Sequence, residues 1–400
     1  METEDNDIDA GFAGAADSLD YQTGPAVKCI VLRNRRQVLV RHNKSIVRAV
    51  MVCRTTPTIV AHPIRYIGLV RLGIPLRYMI GCPNLTAGGL IHTVCGINTP
   101  RREGQMNREK VDPELLVEKD ALVGEGSIWH SDKQELYWVD ILSHELYVYN
   151  PASGENRTIP TCQAVGTVVT RRSGGVVLAL HNGFAHLDLD TEKISPIGRD
   201  PERSIPANRF NDGKCDPAGR LWAGTMEFAG AKGEGALYCL DTDHSVSKKV
   251  DSVSVSNGIV WTADQRTMYF IDSGLNNVRA YDYDVDSGDI GRERVVAENE
   301  GAGVFDGMAI DEEGMLWIAV YGGACVKRYD PQDGALLREL QLPMDNVTSC
   351  AFGGRDLNEL YVTSACQGFD EAEKEAQPLA GSLVRLDPGV RGVLSDAYRG

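Results

Sequence analysis

No run of about 18 uncharged apolar residues interrupts this 400-residue chain, so no membrane-spanning helix is expected. The ten cysteines make no C-x-x-C pair and no zinc-type spacing. Several sit inside apolar runs such as ALYCLD and TSCAFG, as reduced, buried thiols of a cytoplasmic protein would. A G-x-S-x-G elbow, a P-loop and a G-x-G-x-x-G turn are all missing, which removes the common serine-hydrolase and nucleotide-binding readings. His130, His144, His181, His186 and His244 lack metal spacing and read as packing or surface groups. The opening METEDND is no signal-peptide n-region, and a cytoplasmic location is the expectation.

Charge is unevenly spread. Residues 1–20 hold seven acids and no base, whereas residues 21–110 hold fifteen Lys/Arg against two acids. Residues 111–400 then carry a net charge of −21. This break predicts a boundary near residue 110, with an N-terminal extension of uncertain structure, disordered or partner-binding, ahead of a body at 111–400. An acidic body argues against a nucleic-acid partner and suits cation binding.

The body repeats itself. Strand-like runs recur as ELYWVD (135–140), GVVLAL (175–180), RLWAGT (220–225), TMYFID (267–272), MLWIAV (315–320) and ELYVTS (359–364). Each is followed by a second run that ends in an acidic or Asn turn, as in ELYVYNP and GALYCLD. Six copies of one all-β unit, without helical stretches between them, predict a six-bladed β-propeller.

Ahead of each strand-like run stands a second repeated position. It is occupied by Glu125, Val165, Asp212, Asn257, Asp306 and Ser349, and five of the six are followed by Gly. Taken singly, an N-G or D-G pair is a turn signal. Taken in register around an axis, the six positions form a ring at one channel mouth. Three carboxyl groups and an amide gathered there would repel one another unless a cation neutralised them. An oxygen-only set suits a hard divalent ion such as calcium or magnesium. Close by, the run NRFNDGK crowds Asn208, Arg209, Asn211, Asp212 and Lys214 together, and Lys214 reads as a solvated charge.

The runs GEGSIW, NRFNDGKCDPAGRLWAGTM, SNGIVW, FDGMAIDEEGMLWIAVYGG and TSCAFGGRDLNELYVTSA, with the closing GVRGVLSDAYRG, resemble the gluconolactonase family over about residues 113–400. That resemblance implies a six-bladed propeller holding one divalent cation and hydrolysing sugar lactones such as gluconolactone. Calcium is the expected ion, with zinc, magnesium or manganese as alternatives. The family's metal ligands fall on Glu125, Asn257 and Asp306, and its substrate-contacting residues fall on Arg209 and Asn211. Its acidic substrate contact falls, by strict count, on Ala229, so Glu227 is the expected stand-in. Phe305 stands where relatives carry Pro.

Lactone hydrolysis needs an electrophile and an activator of water. A cation polarises the carbonyl, and Asp306, a ring member at the family's catalytic position, is the expected general base. Asp212 is expected beside the cation, orienting water or stiffening the ring. Two other readings remain open: a calcium-binding regulatory protein without catalysis, and a related propeller hydrolase acting on phosphotriesters.

Overall fold

The computed structural model describes residues 108–400 in full, together with the backbone of Asn107 and of five earlier strands. The chain divides into two compact units, residues 1–103 and 104–400. In the first, strands Ser18–Gln22, Val27–Leu32, Gln37–His42, Ser45–Val52 and Val94–Ile97 pair antiparallel in chain order. The expectation about the extension otherwise falls outside the described residues.

In the second unit the six repeats become six antiparallel sheets. Their innermost strands are Gly124–His130, Val165–Thr170, Asn208–Cys215, Ser256–Trp261, Val304–Ile310 and Val347–Gly353. Each packs beside the innermost strand of the next blade, and the sixth packs beside the first, which closes the propeller. The second strands coincide with the apolar-aromatic runs of the sequence, for example Glu135–Asp140, Thr267–Asp272 and Glu359–Ser364.

Alternation explains why these runs are strands. Their apolar side chains pack between neighbouring blades on both faces, so whole strands such as Val176–Leu180 are buried. Trp138, Trp222 and Trp317 are fully buried on the second strands of blades one, three and five. Each indole N–H finds an acceptor: Asn156 Oδ1 at 3.2 Å, Asp216 Oδ2 at 2.8 Å and Asp311 Oδ2 at 2.9 Å. Asp216 also accepts from Arg220 Nε at 2.6 Å and from the Tyr283 hydroxyl at 2.8 Å. Asp216 of CDPAGRLW and Asp311 of IDEEGMLW therefore join adjoining strands.

Two closures lie beyond the repeat pattern. The fourth strand of blade six comes from the start of the unit, where Glu114–Val117 pairs with Leu383–Leu386. Blade five gains a fifth strand, Asn107–Lys110, parallel to Ala335–Gln341 and tied by an Arg338–Glu109 ion pair at 2.8 Å. The C-terminal run crosses the face opposite the mouth. Val393 N–H donates to Ile310 O at 3.1 Å, Arg399 N–H to Gly219 O at 3.0 Å and Tyr398 N–H to Thr170 O at 2.8 Å. It thereby straps blades five, three and two together. Among the described residues one short helix, Glu371–Ala376, departs from the all-β expectation. Asp370 caps it and Glu373 completes a capping box, a pattern that DEAE supplies locally.

Candidate active site

Each innermost strand carries a register irregularity at the repeated ring position. The breaks fall between Glu125/Ile128, Val165/Thr167, Phe210/Gly213, Ser256/Ile259, Phe305/Met308 and Val347/Ser349. A bulge re-aims the side chain it holds. Six bulges at one height turn Glu125, Val165, Asp212, Asn257, Asp306 and Ser349 into a common layer. The following glycines permit it. A Cβ on Gly258 would lie 2.4 Å from Met308 Cβ, and one on Gly166 would lie 2.4 Å from Asn211 O. The neighbouring innermost strand already occupies that space.

The layer is buried. Glu125, Asp212 and Asn257 are each 3% exposed and Asp306 is 6% exposed. Burial, then the Asp212 charge, pushes the Glu125 carboxyl from 4.5 up to about 8. Burial, then Glu125 and Asp212, holds Asp306 well above the usual carboxylate range, and a side-chain hydrogen bond links it to Glu125. Asp212 is likewise raised, chiefly by burial, with Lys214 opposing. Asp306 Oδ1 and Asp212 Oδ2 are buried with no hydrogen-bond partner. Raised carboxyl groups with orphaned oxygens are what a hard cation's site should show when only protein atoms surround it. The residues fit the expected ion. Among the described residues no three His, Cys, Asp or Glu side chains form a ready-made metal cluster. The expected set differs in kind, with two carboxyl groups and the Asn257 amide.

A relay of polar contacts fixes the neighbours. Arg209 Nη1 donates to Asn211 Oδ1 at 2.6 Å, and Asn211 Nδ2 donates to Asn257 Oδ1 at 2.9 Å and Ser256 O at 2.8 Å. Asn257 Nδ2 donates to Ser273 Oγ at 2.7 Å. Both amide hydrogens of Asn211 are thus used, and its side chain aligns Arg209 with Asn257. Arg209 is 8% exposed, and its Nε is buried without a partner. Burial lowers its pKa to about 10 while the Glu125 and Asp306 charges oppose the shift, so it stays cationic at neutral pH.

One expectation changes. Lys214 is not a solvated charge. It is 7% exposed, and its ammonium reaches blade five, donating to Met308 O. The nearby Asp212 charge offsets its burial. Glu227, the expected substrate contact, is half-buried at the end of its strand, Leu221–Glu227. Its Oε2 accepts from Ala229 N at 2.8 Å and Ala231 N at 3.1 Å, closing its own turn.

Three residues escaped sequence reasoning. Ser273, just after TMYFID, orients Asn257. Tyr321, at the end of the LWIAV run, has a phenol raised by burial and then by the Asp306 charge, which places it near the ring. Glu202 accepts from Asn208 Nδ2 at 2.9 Å, Thr225 Oγ1 at 3.0 Å and Tyr238 OH at 2.7 Å, anchoring the strand that carries Arg209. Its partners stand as far as 36 residues away in the chain, so no local motif announces it.

Residues 123–366 match the family described as SMP-30/Gluconolactonase/LRE-like region. The chain belongs to this family. Regucalcin from Xenopus laevis is 40% identical over 294 residues, covering 72% of this chain and 98% of that protein. The putative sugar lactone lactonase YvrE from Bacillus subtilis is 38% identical over 282 residues, covering 70% and 96%. Among solved structures, the calcium-binding protein regucalcin from Agrobacterium tumefaciens aligns with a TM-score of 0.70 at 28% identity, covering 74% of this chain and 99% of that one. The family's propeller is therefore present over almost its full length. Among the described residues no helix is long and apolar enough to cross a membrane.

Proposed function

We propose that this SMP-30/gluconolactonase-family chain hydrolyses a lactone in a reaction that requires a divalent cation. The observation that supports the reading is that Glu125, Asn257 and Asp306 are buried at the same repeat position of three blades, Glu125 and Asp306 close together and Asp306 Oδ1 unpartnered. Glu125, Asn257 and Asp306 would hold the ion, calcium being the first choice for an all-oxygen set. A bound cation supplies neutralisation of the ring and polarisation of the lactone carbonyl.

The remaining work falls to side chains. Arg209 directs its unpartnered Nε–H at the ester or a ring hydroxyl, where a buried charged donor is stronger than a neutral one. Asp306, once it has given up its own proton, takes one from the attacking water and returns it to the leaving alkoxide as the ring opens. Asp212 turns its unpartnered Oδ2 toward that water. Asn211 holds Arg209 and Asn257 in line through the two contacts described above.

A sugar lactone is the substrate class favoured by the Bacillus relative's name. The calcium-binding name of the Agrobacterium protein favours a second reading, a cation binder without catalysis. The two part in one experiment. Chelated protein is reloaded with calcium, zinc, magnesium or manganese, and ion binding by calorimetry and turnover of a lactone panel are measured together. Binding without turnover of any lactone would defeat the catalytic reading.

A further inference from the structure

Ten large apolar side chains are exposed among the described residues, and five of them lie in loops or at a strand start at the ring end of the channel. Leu122, Ile205 and Val304 lie where the chain enters an innermost strand, while Phe228 and Leu275 lie in turns after second strands. The innermost strands share one direction, because their ring positions stand at one height, so all these loops surround one mouth.

Phe228 stands closest to the chemistry. It is 44% exposed, its ring centre is 5.8 Å from Arg209 Cζ, and the His181 ring meets its edge at 5.2 Å. The carboxylate next to it in sequence, Glu227, is turned back into its own loop. A substrate group extending past Arg209 therefore meets an aromatic ring with no donor or acceptor. Sugar hydroxyls placed over the face of that ring would lose water without gaining a hydrogen bond from it. An alkyl or aryl group would cover the exposed ring and shield the Arg209 charge.

We infer that Phe228 is a specificity-determining residue, and that the preferred substrate is a lactone bearing an apolar substituent next to the ester rather than a bare sugar lactone. This inference rests on the lactonase reading. The test compares two lactones of equal ring size, one carrying a polyol chain and one an alkyl or phenyl group, using the full chain loaded with calcium. The expected result is a kcat/KM at least about tenfold higher for the apolar lactone, the scale on which an apolar pocket discriminates. Phe228→Ala should erase that preference mainly through KM, Phe228→Leu should keep most of it, and Phe228→Asp should favour the polyol. Melting curves verify that each exposed-site variant folds. Turnover of both lactones with no apolar preference, or a preference unchanged in Phe228→Ala, overturns this inference and leaves the lactonase reading standing. No turnover of either lactone by calcium-, zinc-, magnesium- or manganese-loaded protein overturns both.

Discussion

Replacing Glu125 with Gln should stabilise the cation-free protein at pH 8 and leave it nearly unchanged at pH 5. Burial raises the folded-state pKa of Glu125 from 4.5 to about 8. A carboxyl group raised on folding contributes fully below its unfolded pKa, and its contribution is lost as pH rises through the folded one. The loss therefore develops between pH 4.5 and about 8. At about 1.4 kcal/mol per pH unit it reaches on the order of 5 kcal/mol, a large share of a typical domain's stability. Shared titration with Asp212 and Asp306 spreads that cost over the ring. For a unit of this size it corresponds to a fall of roughly 10 °C in melting temperature. Gln keeps the acceptor for Gly126 N–H, now 2.9 Å from Glu125 Oε2, and cannot ionise. The assay is thermal melting of parent and Glu125→Gln with chelator at pH 5, 6.5 and 8, then with saturating calcium. The parent should lose more stability with pH than the variant, which keeps the raised Asp212 and Asp306, and calcium should restore it in the parent more than in the variant. General repulsion within the acidic body acts on both proteins and cancels. Parallel pH curves for the two cation-free proteins would refute the reasoning.

Asn257→Ala should weaken ion binding in calorimetry and regain part of its activity as the ion is raised. Asp306→Asn should retain an oxygen for the ion yet lose about 10²–10⁴-fold in turnover at full occupancy, and near-parental turnover would remove Asp306 as the base. Gly258→Ala should cost roughly 1–3 kcal/mol or more in denaturant unfolding, because its Cβ would fall 2.4 Å from Met308 Cβ and 2.7 Å from Met308 N. A chain beginning at residue 104 should melt as a cooperative β protein, whereas one beginning at residue 120 should melt markedly lower, having lost Glu114–Val117 from blade six. Equal melting of the two would show that this strand is dispensable.

The blades were legible because every repeat restates the same demand, an apolar strand such as TMYFID or ELYVTS with polar turns around it. The ring was legible for the same reason: Glu125, Asp212, Asn257 and Asp306 recur in register, and symmetry converts register into proximity. What breaks the repeat was hidden. Glu114–Val117 carries no mark that it completes the last blade, since the need for it arises only when a circle lacks one strand. Lys214 looked like a surface charge because local sequence says nothing about the Met308 carbonyl that it reaches on blade five. The contacts of Glu227 were hidden too, since its carboxylate accepts from the Ala229 and Ala231 N–H groups on either side of Gly230. Glu202, Ser273 and Tyr321 act through partners supplied by the finished fold.

The strand that finishes blade six also sets an order of assembly. Glu114 meets Arg385, 271 positions later, so one of the first segments of the propeller to be made must wait for nearly the last. At synthesis rates of about 5–20 residues per second, that wait is roughly 15–60 s. Through it the first blade has no sixth neighbour, and Glu125 stays in water, ionised and far from Asp306. The acidic mouth is thus assembled at the moment the circle shuts, when its mutual repulsion first arises. A cation available then would act as a late fastener on the newly closed chain, before any substrate reaches it.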